Sequence, residues 1–95
     1  MNHQQFQDEI LKLCRNKPIH VHWCRNLSAQ RGFPDLVLIG IRGVKWRELK
    51  IPPDHLTSEQ RALGYRLTAS GQDWGVWTPN DLGNGVIIGD IEGLI

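Results

Sequence analysis

Apolar side chains at Phe6, Ile10, Leu13 and Cys14 fall at i, i+4, i+7 and i+8, which predicts an amphipathic helix of about three turns. Asn16-Lys17-Pro18 should end it, because the residue before a proline resists helical geometry. Residues 19–24, IHVHWC, then set Ile19, Val21 and Trp23 against His20, His22 and Cys24, the period of a strand. Residues 25–34 are polar and carry a glycine, so they read as a loop. Leu36 to Ile41 is a continuous apolar run, the mark of a strand covered on both faces. A tight turn at Arg42-Gly43 leads into a further strand over Val44 to Ile51, so the two should form a hairpin. Ile51-Pro52-Pro53-Asp54 interrupts regular structure. Thr57-x-x-Gln60 fits a capping box, and Leu63, Leu67 and Ser70 continue one face of a second helix that Gly71 stops. Trp74, Val76 and Thr78 alternate in a fourth strand, closed by Pro79-Asn80-Asp81. The tail is apolar at Val86–Ile88 and Ile91–Ile95 but cut by glycines, and it reads as a short strand or a helical turn packed on the sheet.

The order is therefore helix, three strands, helix, strand, tail, and 95 residues suit one domain spanning 1–95 with one modest core. No apolar run approaches the roughly 20 residues of a membrane-spanning helix. The polar start, MNHQQFQDEI, is unlike a secretory signal, so a cytoplasmic protein without a membrane partner is expected. Cys14 and Cys24 are then expected as free thiols. The net charge is only +1, but residues 1–50 hold nine Lys/Arg against four Asp/Glu, while residues 51–95 hold two against six. A basic half of this kind suits a phosphate-rich partner.

The candidate chemistry lies on the hairpin. Glu48 and Lys50, two apart on a strand, project from the same face. A turn near Arg42-Gly43 would set Asp35 roughly opposite Lys50, so that the three groups converge at one end of the sheet. Two close carboxylates repel unless one is protonated or a cation lies between them, and Mg²⁺, which prefers oxygen ligands, satisfies that need. A lysine beside such a pair can orient water or neutralise charge building on a phosphate. The plainer alternative is a solvated Glu-x-Lys pair and an Asp that serves turn chemistry.

Gly32-Phe33-Pro34-Asp35-Leu36, Glu48-Leu49-Lys50 and Leu56-Thr57-x-Glu59-Gln60 together resemble the VRR-NUC (virus-type replication-repair nuclease) domains of the PD-(D/E)xK superfamily, over nearly the whole chain. The resemblance implies an α/β, restriction-endonuclease-like αβββαβ core with a mixed central sheet flanked by helices. It implies Asp35 and Glu48 as ligands of Mg²⁺ or Mn²⁺ with the backbone carbonyl of Leu49, Lys50 as the catalytic lysine, and Gln60 reaching the site from the second helix. Gln60 read from the residues alone is equally a capping side chain. Family members carry a glutamate in the first helix where this chain has His3. Either His3 substitutes for it, or Glu9 serves, or the site works without that group.

Arg25, Arg31, Arg42, Lys45 and Arg47 are expected to contact DNA phosphates around the site. His22 is a candidate neighbour of the active site or a half-buried, hydrogen-bonded histidine. A zinc site from His20, His22 and Cys24 lacks the usual paired spacing. The tryptophans should be core, with Trp77 the candidate for an interface or stacking role. The function expected is metal-dependent endonucleolytic hydrolysis of branched, junction, nicked or duplex DNA without a nucleotide cofactor. The resemblance implies a homodimer and a role in phage-type replication, recombination or repair in a bacterial or phage-infected cell. The alternatives are a catalytically weak accessory subunit of the same fold and a small interaction module.

Overall fold

Asn2 starts the first helix with a reciprocal cap: its side chain accepts from the Gln5 N–H at 2.8 Å, and Gln5 Oε1 accepts from the Asn2 N–H at 2.8 Å. The computed structural model of the chain describes residues 1–24 and 31–95. In it α1 runs His3–Cys14 and buries Phe6, Ile10 and Cys14, the face that the spacing predicts. Asn16 then takes a positive φ of 60°, which asparagine tolerates better than most residues, and the chain turns into β1, His20–Trp23. Strands β2 (Leu36–Gly40) and β3 (Gly43–Leu49) form the expected hairpin. Helix α2, Ser58–Ala69, crosses over to β4, Asp73–Trp77, which pairs with β3 in parallel. The sheet order is β1-β2-β3-β4, with the first three strands antiparallel, so the sheet is mixed.

The hairpin register differs from the expected one. Gly40 pairs with Gly43 and Leu36 with Arg47, so the turn is Ile41-Arg42, one residue earlier than the glycine suggested. Continuing the pairing sets Asp35 opposite Glu48 rather than Lys50. The turn glycine is thus already inside the strand. The shift by one at the tip becomes a shift by two across the ladder, which leaves every face unchanged.

One face of the sheet carries the core. Leu36, Leu38, Leu49 and Trp77 pack there against Phe6, Ile10 and Cys14 of α1 and against Ile87, Ile91 and Leu94 of the tail. The tail is helical, with a short α3 (Asn80–Gly83) and α4 (Val86–Glu92). Its glycines do not prevent helix, because Ile87, Ile91 and Leu94 keep the i, i+4, i+7 spacing of one buried stripe. Trp77 is only 1% exposed in this core, so it has no surface for an interface or a stacked base. Its indole N–H donates to Asp90 Oδ2 at 2.8 Å.

The opposite face is covered unevenly. Helix α2 packs over β4, and Gly64 lets it approach: a Cβ there would meet the Trp74 ring at 2.5 Å. Among the described residues, the cover stops short over β1 and the end of β2. Leu36 to Leu38 are buried, yet Ile39 and Ile41 are exposed, so the expectation of a strand covered on both faces holds only for its first half. Both cysteines are free.

Candidate active site

Asp35 is delivered by the loop that precedes β2. Gly32 has φ +84°, and a Cβ there would stand 2.5 Å from the carbonyl oxygen of Glu59, so the loop is pressed against the first turn of α2. Phe33 meets Trp46 edge to face, with centroids 5.8 Å apart, and Pro34 is buried. Asp35 then enters the ladder. Its backbone carbonyl accepts from the Cys24 N–H at 2.8 Å, and its Oδ2 accepts from the Leu49 N–H at 2.7 Å. The register and these bonds align Cys24, Asp35 and Glu48 in one row across the face that α2 partly covers.

Glu48 is the unusual member. It is 2% exposed, and its Oε2 has no hydrogen-bond partner among the described residues. Burial first, then the hydrogen bond available to Asp35 and the charge of Asp35, push its carboxyl up to about 9, against a smaller opposing pull from Lys50. Lys50 follows on the same face, its N–H held by the Trp77 carbonyl at 3.0 Å. From α1, His3 Nε2 approaches Asp35 Oδ2 to 3.7 Å. The structure thus gathers His3, Asp35, Glu48 and Lys50.

Other candidates lie elsewhere. Glu9 is engaged within α1, where it pairs with Lys12 at 3.1 Å. Gln60 caps α2: its Oε1 accepts from the Thr57 N–H at 2.9 Å, and its own N–H donates to Thr57 Oγ1 at 3.1 Å. Its helix turn still abuts the Asp35 loop through Glu59 and Gly32. Arg31 is exposed near Glu59, whose carboxyl is held low mainly by its own backbone N–H and by Ser58, with a smaller part from Arg31. Arg25 lies outside the described residues.

Two of the expected phosphate contacts, Lys45 and Arg47, are corrected. Lys45 bonds to Asp73 at 2.8 Å on the core-side face. Arg47 is 5% exposed, reaches Asp73 at 2.9 Å and Asp90 at 3.4 Å, and lies 5.5 Å from the centroid of the Trp77 ring. Both alternate with Glu48 and therefore point away from it. Arg42 is exposed but sits in the hairpin turn, at the opposite end of the strands from Asp35. His22 is exposed on the same face as Asp35 and Glu48, one step along β1 from Cys24.

Sequence reasoning overlooked Cys24 as a member of the row. Its thiol is raised first by burial and then by the charges of Asp35 and Glu48. The signal was present: Cys24 alternates in phase with His22, on the face opposite Val21 and Trp23. The Asn2-x-x-Gln5 box that sets where His3 begins α1 was also legible and unread.

No cluster of three or more His, Cys, Asp or Glu side chains among the described residues forms a ready metal cage. The donor chemistry nonetheless fits a hard cation: two oxygen ligands in one row, one of them buried with an oxygen lacking any partner.

A mixed four-stranded sheet with α1 and α4 on one face, α2 on the other and paired carboxylates at one end defines an α/β fold of the restriction-endonuclease-like kind. Among solved structures the chain is similar to a VRR_NUC domain protein, with a TM-score of 0.71, 20% identity, and coverage of 100% of this chain and 88% of that one. The chain thus has the VRR-NUC domain fold. No family model and no curated protein matches the sequence.

Proposed function

We propose that this chain is a metal-dependent endonuclease that hydrolyses phosphodiester bonds of DNA, acting on branched, junction or nicked substrates in phage-type replication, recombination or repair. The observation that carries the reading is Glu48: a carboxylate buried to 2%, with an unpartnered oxygen, in one row with Asp35 and next to Lys50. A purely structural glutamate at that depth would have a hydrogen-bond partner for each oxygen. The VRR-NUC fold and the resemblance of the three short motifs support the same reading.

Asp35, Glu48 and the backbone carbonyl of Leu49 would hold Mg²⁺ or Mn²⁺. When bound, the ion supplies the positive charge that polarises a phosphodiester for attack by water. The chain's own groups do the rest. The Leu49 N–H fixes Oδ2 of Asp35 and so orients its carboxylate. Lys50 stabilises negative charge on the phosphate oxygens as the attacking bond forms. His3, beside Asp35, stands where the relatives described by the resemblance hold an acid, and offers a ring nitrogen there in place of a carboxylate oxygen. A homodimer would bring two such sites to the two strands of one substrate, in the cytoplasm of the cell that makes it.

The test is cleavage of supercoiled plasmid and of a panel of labelled junction, flap and linear DNAs with Mg²⁺, Mn²⁺ or EDTA. Cleavage should need the divalent ion, and Lys50→Ala should cut at least about 100-fold more slowly. Equal rates for Lys50→Ala and wild type overturn the assignment. The replacement of the helix acid by His3 favours a second reading, an accessory DNA-binding subunit of the same fold. Calorimetric titration with Mn²⁺ separates the two, because the accessory protein would take up no ion at Asp35 and Glu48.

A further inference from the structure

Among the described residues, the face that carries the carboxylate row is covered over β4 by α2 and exposed over β1 and the end of β2. Beyond the row of Cys24, Asp35 and the buried Glu48, and past the buried Val37, that face comes to the surface at His22, at His20 and at its pair partner Ile39. His20 and His22 are exposed, Ile39 is 42% exposed, and Ile41 beyond it is 92% exposed. The exposed part of that face carries no carboxylate beyond the row: Lys45 and Arg47 point to the other face, and β1 and β2 present imidazoles and apolar side chains. A polyanion meets no repulsion there until it reaches the carboxylate pair.

We propose that this uncovered β1–β2 surface is where the sugar-phosphate backbone of the DNA lies as it leaves the carboxylate pair. His22 and His20 are positioning residues that donate hydrogen bonds to successive phosphates, and Ile39 packs against the sugars between them. Successive same-face side chains on a strand stand about 6.8 Å apart, so two imidazoles on β1 can serve two phosphates of one extended backbone. The inference rests on the nuclease reading for its ligand. Its rival is the outer flank of α2, where Tyr65 is 76% exposed one turn after Arg61, and the two surfaces predict opposite mutational results.

Binding of a fluorescein-labelled four-way junction and of a linear duplex to the intact chain, measured by anisotropy in EDTA, tests the placement. Ile39→Glu should weaken binding at least about tenfold, since a carboxylate against phosphate is repulsive. Tyr65→Glu should leave binding unchanged. His22→Ala should weaken binding about tenfold with the melting temperature unaltered, and His22→Gln, which keeps a donor, should restore most of it. In the cleavage assay His22→Ala should raise KM with kcat little changed. Wild-type affinity in Ile39→Glu, or a loss in Tyr65→Glu instead, overturns the proposal. DNA binding that is sensitive to Ile39→Glu without cleavage by the wild type defeats the nuclease reading and leaves the surface standing. Cleavage that is insensitive to Ile39→Glu does the reverse, and a wild type that binds no DNA ends both.

Discussion

Glu48 couples this protein's stability to pH and to metal. Its carboxyl titrates near 4.5 when unfolded and at about 9 in the folded, metal-free chain, because burial and Asp35 both oppose its charge. The native state therefore holds a proton that the unfolded state has lost across that window. With more protons bound to the folded form, stability falls as pH rises from about 4.5 to about 9 and levels beyond it. Thermal melts in EDTA should show this decline, and Glu48→Gln, neutral at every pH, should flatten it. Mg²⁺ or Mn²⁺ should raise the melting temperature more at pH 8 than at pH 5.5, since ion and proton compete for the same oxygens. A melting temperature indifferent to both pH and metal would remove Glu48 from the proposed site. Arg47, in contrast, was expected at DNA and is a buried strut. Its two aspartate partners and the Trp77 ring make Arg47→Ala a structural loss; because Asp73 and Asp90 are partly solvated, the cost should be about 1–3 kcal/mol, from lost packing and charged hydrogen bonds. Urea denaturation should show the drop whether or not DNA is present.

At the scale of elements, two capped helices set the site's geometry. Asn2 starts α1 so that His3 is its first residue and faces Asp35; Thr57 starts α2 so that Glu59 abuts Gly32. Asn2→Ala should cost about 1 kcal/mol of stability by denaturant titration and let the His3 turn fray from Asp35. Gly32→Ala combines a disfavoured φ with a clash against the Glu59 backbone. It should lower cleavage more than ten-fold, about 1.4 kcal/mol in the barrier, by moving Asp35 rather than by removing any reacting group. The capping box at Thr57 and Gln60 was legible because it is local, four residues on one turn. The hairpin register was not, because Gly43 marks a turn as readily from its first strand position as from the turn itself. The side-chain faces survived the error, since a shift of two residues preserves alternation.

Across the whole molecule, one hydrophobic layer joins the first helix to the last. Ile87, Ile91 and Leu94 close the core over Phe6 and Ile10, although their segment reads from sequence as glycine-broken. Ile91→Ala should lower stability by about 2–5 kcal/mol in a chain this small, with the C-terminal helix and α1 loosening together in hydrogen exchange. The charge asymmetry of the two halves also resolves at this scale. The acids of the second half include Asp73 and Asp90, which meet Lys45 and Arg47 internally, so part of the apparent basic surface is consumed in folding.

The sequence by itself determined the order of elements, the helix caps, the alternation that puts Glu48 and Lys50 on one face, and the motif that singles out Asp35. These depend on neighbours within a turn or a strand, where spacing dictates direction. Only the tertiary structure decided that Asp35 faces Glu48 across the hairpin, that Cys24 completes their row, and that Lys45, Arg47 and Trp77 belong to the interior. It also showed that, among the described residues, one sheet face is exposed over β1 and the end of β2. Those outcomes depend on which layer covers which face. That is settled by burial summed over segments far apart in the chain, which no local pattern encodes.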